Sequence, residues 1–130
     1  MKRTLFAYAS TLLAFLMLDG LWLGVLMAPT YRALLGPLML DQPLLAPAAV
    51  FYLLYVFGCV VFVVLPAKTW QRASALGALL GLVAYGTYDL SNWATLNGWS
   101  AQLALMDMAW GTLATCIACT VGYWVTRKVL

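Results

Sequence analysis

Histidine and glutamate are absent from the sequence, and charges of either sign are few. Seven lysine and arginine residues and four aspartates leave a formal net charge of +3 across 130 residues. The basic residues stand singly or in pairs and form no basic stripe, so the sequence lacks the electrostatic pattern of a nucleic-acid-binding protein. We therefore expect no nucleic-acid partner.

Cysteine is scarce as well, and two of the three cysteines form one Cys-x-x-Cys pair, Cys116 and Cys119. Without a histidine or a second pair, this spacing is weak support for a zinc site. The flanking residues are apolar and typical of a membrane helix. We interpret these cysteines as small packing residues, and we predict neither a bound metal nor a cofactor.

Hydrophobic residues, by contrast, make up 65% of the chain, and the mean hydropathy is +0.94. A soluble domain of 130 residues has no interior large enough to cover that much apolar surface, so lipid must cover part of it. The sequence therefore predicts an integral membrane protein.

Four apolar stretches are each close to the ~20 residues that a helix needs to cross a bilayer. They cover about residues 4–28, 47–65, 73–96 and 101–126. The first is too long for the apolar core of a signal peptide, so we expect it to remain as a span. The predicted fold is an all-α polytopic membrane protein with four transmembrane helices in a single domain, residues 1–130, and a longer outside loop at residues 29–46.

Basic residues set the expected orientation. If the N-terminus is cytoplasmic, the inside segments hold six of the seven cations and the outside loops hold only Arg32. The six are Lys2, Arg3, Lys68, Arg72, Arg127 and Lys128. This imbalance fits the positive-inside rule, so we predict a multi-pass protein of the bacterial inner (plasma) membrane with cytoplasmic N- and C-termini.

Three of the four aspartates fall inside predicted spans. With a rise of about 1.5 Å per residue, Asp19 lies roughly 14 Å below the outer end of its span, and Asp89 and Asp107 roughly 10 Å below theirs. A carboxyl at a helix centre costs about 2.5–3.5 kcal/mol, so we expect all three to face the bundle interior in one layer. At least one should be protonated, because three unpaired charges are not stable together in a low dielectric.

Aromatic and polar residues share this layer, and the sequence predicts an outer polar pocket above a tightly packed inner half. The three aspartates are the candidate catalytic groups, for acid/base chemistry or hydrogen bonding, with Asp89 central. The candidate substrate-binding residues are Trp22, Arg32, Tyr85, Tyr88, Asn92, Trp93 and Trp110. Arg32 is the expected counter-ion of the carboxyls. Gly77 and Gly81 on the third span allow a neighbouring helix to approach closely at the inner end.

Three functional hypotheses follow from this pattern. In the first, an outward-facing pocket of carboxyl and aromatic groups binds, and in its stronger form modifies, an amphipathic or lipid-derived small molecule. In the second, the protein is a non-catalytic accessory subunit of a larger membrane complex, and the aspartates lock its helices by hydrogen bonds. In the third, it is a proton-coupled transporter of small molecules. The expected partners are membrane lipid, an amphipathic ligand, and a homo-oligomer or larger complex.

The polar end of the third span belongs to a longer segment, YGTYDLSNWATLNGWS, which is followed by MDMAWGT. Earlier in the chain stand LDGLWLG, YRALLG and FYLLYVFGCVVFVVLPA. Together these segments resemble a family of small bacterial membrane proteins described as a domain of unknown function, number 2177. The resemblance implies a four-helix protein of the bacterial inner membrane, and it implies no activity, cofactor or catalytic residue.

Overall fold

The computed structural model describes residues 1–42 and 44–129, and every regular element in that part of the chain is helical. The five α-helices are α1 (Lys2–Gly20), α2 (Ala28–Leu35), α3 (Leu45–Cys59), α4 (Trp70–Thr95) and α5 (Ala101–Val129). Wider π-helical turns extend α1 through Leu21–Leu26 and α3 through Val60–Val64. Pro43, in the predicted outside loop, lies outside the described residues.

Four of these helices are long and apolar enough to cross a membrane, which confirms the predicted all-α fold with four spans. The spans are Lys2–Leu26, Leu45–Val64, Trp70–Thr95 and Ala101–Lys128. Only 17–33% of the residues in the most apolar 18-residue window of each span are buried within the protein. Because side chains such as Phe62 and Leu54 are 68% and 67% exposed, lipid must cover the outer surface of the bundle.

Local signals set the ends of α4 and α5. The hydroxyl of Thr69, just before α4, accepts a hydrogen bond from the backbone N–H of Arg72 at 3.1 Å, a standard N-cap. Ser100 caps α5 in the same way by accepting from the N–H of Leu103 at 3.1 Å. Between the two helices, Gly98 has a φ of 84°, a backbone conformation that residues with a Cβ rarely adopt. Asn97-Gly98 thus makes a tight turn between α4 and α5, as this dipeptide commonly does.

Helix α5 is the centre of the bundle, since it packs along α4 and α1 and also against the end of α3. Small residues allow this close approach. A Cβ added at Gly77 would lie 2.9 Å from the Cβ of Cys119, and one added at Gly81 would collide with the carbonyl of Gly111. Cys119 is fully buried in this contact, as expected of a small packing residue.

The N-terminus of α1, the α3–α4 turn and the C-terminus of α5 meet at one end of the bundle, here named the cationic end. Arg3 donates to the carbonyl of Leu65 at 3.3 Å, and Arg127 donates to the carbonyl of Ala67 at 2.8 Å. Tyr123 donates to the carbonyl of Lys68 at 3.0 Å. Five of the six cations assigned to the inside by sequence belong to these three segments, and the sixth, Arg72, lies in the first turn of α4, directly after the α3–α4 turn.

Candidate functional site

Asp19, on α1, connects three spans through its carboxyl. The side chain is only 5% exposed. One oxygen accepts a hydrogen bond from the hydroxyl of Tyr52 on α3, and the other accepts from the indole N–H of Trp110 on α5 at 3.1 Å. Both donors are neutral, so Asp19 is held in place by hydrogen bonds rather than by a counter-ion.

Trp110 in turn stacks on Trp22. Their ring centroids are 4.4 Å apart and the ring planes differ by 2°. Trp22 lies in the π-helical turn Leu21–Leu26, a type of irregularity that recurs at functional sites because it changes the direction in which side chains point. The indole N–H of Trp22 donates to the hydroxyl of Tyr31 at 2.9 Å. The stacked pair therefore carries the network from α5 back to the start of α2.

Tyr31, on α2, completes the link to a second carboxyl. Its hydroxyl donates to Oδ1 of Asp107 on α5 at 3.0 Å, and the side chain is only 6% exposed. Burial raises the pKa of Tyr31 above its ordinary value, so the hydroxyl stays protonated and available as a donor. Asp19 and Asp107 are thus joined by one continuous network of neutral aromatic side chains.

Asp89, on α4, differs from Asp19 and Asp107 in its hydrogen bonding. It is fully buried, and neither carboxyl oxygen has a hydrogen-bond partner among the described residues. Its interacting acidic neighbour is Asp107. An unpaired carboxylate without a donor is costly in such a place. Asp89 therefore lies near Asp107 without a hydrogen-bond donor of its own among the described residues.

A cavity of about 350 Å³ lies between all four spans, and we name it the membrane chamber. Its walls combine two carboxyls, four aromatic rings and two aliphatic side chains. They are Asp19, Leu23, Phe51, Tyr52, Ala84, Tyr85, Tyr88 and Asp107. A second cavity of about 200 Å³ shares Leu23, Tyr88 and Asp107 with the membrane chamber and continues towards α2. Asp107 thus stands where the two cavities meet.

The membrane chamber opens sideways between α3 and α4. Helix α3 packs against α1, and α4 packs along α5; α3 and α4 have little direct contact except where Val60–Val64, the end of α3, meets α4. They approach each other at Tyr55 and Tyr85, whose rings stand edge to face with their centroids 6.2 Å apart. Phe51 and Tyr88 line the cavity and are nevertheless 44% and 56% exposed, so they form its mouth. Their exposed faces belong to the apolar outer surface of the bundle.

The sequence-predicted site residues divide into three groups. Asp19, Asp107, Tyr85 and Tyr88 line the membrane chamber. Trp22 and Trp110 lie next to it in the hydrogen-bond network. Asp89 is a neighbour of Asp107. Asn92, Trp93 and Arg32 line neither cavity.

Arg32, the expected counter-ion, is exposed and donates to the backbone carbonyl of Asp41 at 3.5 Å. Its neighbour Tyr31 contacts Asp107 instead. Consecutive residues of an α-helix point about 100° apart, because a turn holds 3.6 residues, and α2 turns Tyr31 towards the bundle. The role of Arg32 in ligand binding stays a prediction.

Sequence reasoning missed two hydrogen-bond donors of the site, Tyr31 and Tyr52. Tyr52 has a detectable signal, because it lies near the outer end of its span at the depth of the aspartates. Tyr31 has none, because its contact with Asp107 depends on how the connection after α1 folds back over the bundle.

Residues 4–124 match the family described as "Predicted membrane protein (DUF2177)". The chain belongs to this family. No curated protein and no solved structure matches the chain. The match extends into all four spans, so every site residue described above lies inside the DUF2177 region.

The chemistry open to this DUF2177 chain is that of carboxyl groups beside aromatic rings. Both oxygens of Asp19 already accept hydrogen bonds, whereas no described hydrogen bond reaches Oδ2 of Asp107. Among residues 1–42 and 44–129, no three acidic or cysteine side chains are grouped to hold a metal ion. Asp107 is therefore the group best placed to accept a hydrogen bond or a proton from a ligand.

Proposed function

We propose that this membrane protein binds, and through its carboxyls acts on, an amphipathic or lipid-derived small molecule held in the membrane chamber. The observation that carries the proposal is the composition of the chamber walls, where Asp19 and Asp107 stand beside Phe51, Leu23 and Ala84. Ligand pockets in proteins usually occupy about 300–1,000 Å³ and combine an apolar lining with a few polar groups. The chamber, at about 350 Å³, falls in this class.

The sideways mouth supports a ligand that comes from the membrane. A molecule with a polar head and an apolar tail would place its head against Asp107 and leave its tail between α3 and α4. The tail would then pass Phe51 and Tyr88, which are exposed on the lipid-covered face. A purely water-soluble ligand gains nothing from such a route.

Close packing on the other side of the chamber supports a binding site rather than a channel through one protomer. Gly77 and Gly81 bring α4 against Cys119, Thr115 and Gly111 of α5, which leaves no room for a second opening along that contact. Under the positive-inside rule the cationic end is cytoplasmic, so the chamber lies in the outer half of a bacterial inner membrane.

The test fills the chamber without touching its polar groups. In Ala84→Phe, a ring would occupy part of the cavity that Ala84 lines. Ala94→Phe adds the same ring on the same helix at an exposed position outside both cavities. Each protein is reconstituted in nanodiscs with bacterial lipid extract and examined by native mass spectrometry.

Wild type and Ala94→Phe should retain a bound amphiphile, and Ala84→Phe should lose it. Equal retention by the two variants would place the bound molecule elsewhere and refute the proposal. Retention of a stoichiometric protein partner without any amphiphile would favour an accessory subunit instead.

A further inference from the structure

We propose that the membrane chamber selects an amphiphile whose head group is an organic ammonium. The inference rests on the proposed function and names the class of ligand that the site would take. It stands on three observations, namely the carboxyls around the chamber, the rings that line it, and the distribution of cations over the whole chain.

The first observation is an excess of acid without a counter-ion. Asp19 and Asp107 line the chamber, and Asp89 lies against Asp107. Every described hydrogen bond to these carboxyls comes from a neutral group, the hydroxyl of a tyrosine or the indole of a tryptophan. Asp89 is fully buried with no described partner for either oxygen. A bound cation would supply the charge that the protein itself does not.

The second observation is the aromatic lining. Half of the eight wall residues carry rings, and these are Phe51, Tyr52, Tyr85 and Tyr88. Aromatic faces attract ammonium groups through the ring quadrupole, and several rings around one site are the usual way in which proteins recognise quaternary ammonium. Carboxyls alone would also suit an alcohol or an amide, but carboxyls within a set of rings favour a cation.

The third observation argues against a ligand with a negatively charged head group. Neither cavity is lined by a lysine or an arginine. Six of the seven cations lie in the segments of the cationic end or in the first turn of α4 next to it, and Arg32 is exposed and donates to the carbonyl of Asp41. A phosphate or carboxylate head group would therefore meet carboxyls without any compensating cation.

The experiment compares three probes that share one tail and differ in the head group: octyltrimethylammonium, octanol and octyl phosphate. Each is titrated calorimetrically into the full chain in nanodiscs, with empty nanodiscs as the reference for partition into lipid. We expect the ammonium probe to bind about tenfold more tightly than the alcohol, and the phosphate to bind most weakly.

Two variants assign the selectivity to the chamber. Asp107→Asn should remove most of the difference between ammonium and alcohol, whereas Asp41→Asn, at an exposed aspartate outside both cavities, should keep it. Tyr88→Leu should lower the affinity for the ammonium probe several-fold. Tyr88→Phe should bind the probe as wild type does, because the ring remains. Thermal unfolding of each variant checks that it is folded.

The outcomes separate the two proposals. If all three probes bind with equal affinity and Ala84→Phe blocks them, the chamber binds amphiphiles but does not select ammonium, and only this inference fails. If no probe binds above the level of empty nanodiscs, this inference fails, and the native mass spectrometry of wild type, Ala84→Phe and Ala94→Phe decides the proposed function separately. If Asp107→Asn keeps the full preference for ammonium, the selectivity does not come from this site and the inference is overturned.

Discussion

The two halves of the bundle use different side chains for the same task of holding helices together. In the half next to the cationic end, which holds the contact of Gly77 and Gly81 with α5, backbones approach closely across small residues. In the half that holds Asp19, Asp89 and Asp107, here named the acidic half, the helices are joined by aromatic donors and separated by a cavity. Close packing of small residues dominates the first half, with hydrogen bonds to backbone carbonyls at its end, whereas directional hydrogen bonds between side chains join the helices of the second.

The boundary between the halves is a layer of hydroxyls and rings. Tyr85 lies directly over Gly111, where any Cβ would collide with its ring. Tyr55 is hydrogen-bonded to Thr115 at 2.7 Å and stands edge to face with Tyr85. A bulky ring that needs space on α4 thus sits opposite a glycine on α5. On the side of this layer that faces the cationic end, α4 and α5 stay in close contact. On its other side, in the acidic half, the membrane chamber begins.

The largest expected effect comes from breaking the small-residue contact. Gly81→Leu would force α4 away from the Gly111 carbonyl and from Thr115, and we expect it to lower the free energy of unfolding by about 3 kcal/mol. Gly20→Leu is the matched control, because a Cβ at Gly20 meets nothing within 4 Å. Unfolding of both proteins in detergent, titrated with sodium dodecyl sulfate, measures the difference. Equal stability of the two variants would show that the close contact does not hold the bundle.

The second effect compares two carboxyls of the acidic half. Asp19→Asn cannot accept both the Tyr52 and the Trp110 hydrogen bonds, so we expect a loss of about 1–3 kcal/mol. Asp89→Asn breaks no described hydrogen bond, and we expect a change within about 0.5 kcal/mol. The same unfolding assay decides, and an Asp89→Asn variant as unstable as Asp19→Asn would mean that Asp89 also holds helices together.

Much of the fold follows from the sequence because lipid imposes simple rules. The span length fixes the four helices, and the Asn97-Gly98 turn fixes α4 and α5 as antiparallel neighbours. The helical spacing of Gly77 and Gly81 identifies the face that packs on α5. Each of these signals is local to one segment, and none depends on how distant residues meet.

The site could be predicted only in part, because depth along a helix does not specify direction around it. The depth rule finds Asp19 and Asp107, which line the same cavity. It does not separate Asp107, which borders both cavities, from Asp89, which lines neither. The orientation of Trp22 depends on a π-helical turn, and that turn has no distinct sequence pattern here.

A smaller effect tests the link between the two carboxyls. Tyr31→Phe removes the hydroxyl that donates to Asp107 and accepts from Trp22, and we expect a loss of about 1 kcal/mol. The pKa of Tyr31 is raised by burial, so its contribution is complete below about pH 10 and is lost as pH rises further and the unfolded chain ionises. Stability of Tyr31→Phe should therefore fall less steeply than that of wild type in this alkaline range. An identical alkaline slope in both proteins would contradict the burial of this hydroxyl.

The smallest expected effect decides whether the acidic half has a counter-ion of its own. Arg32→Gln removes the one cation that the sequence places near the carboxyls, yet its described hydrogen bond goes only to the carbonyl of Asp41. We expect a change in unfolding free energy within about 0.5 kcal/mol, and the same ranking of ammonium, alcohol and phosphate probes as in wild type. Tyr31→Phe, one residue away on α2, is the comparison. A large loss of stability in Arg32→Gln, or tighter binding of the ammonium probe, would mean that Arg32 neutralises the carboxyls and that the acidic half is balanced from within.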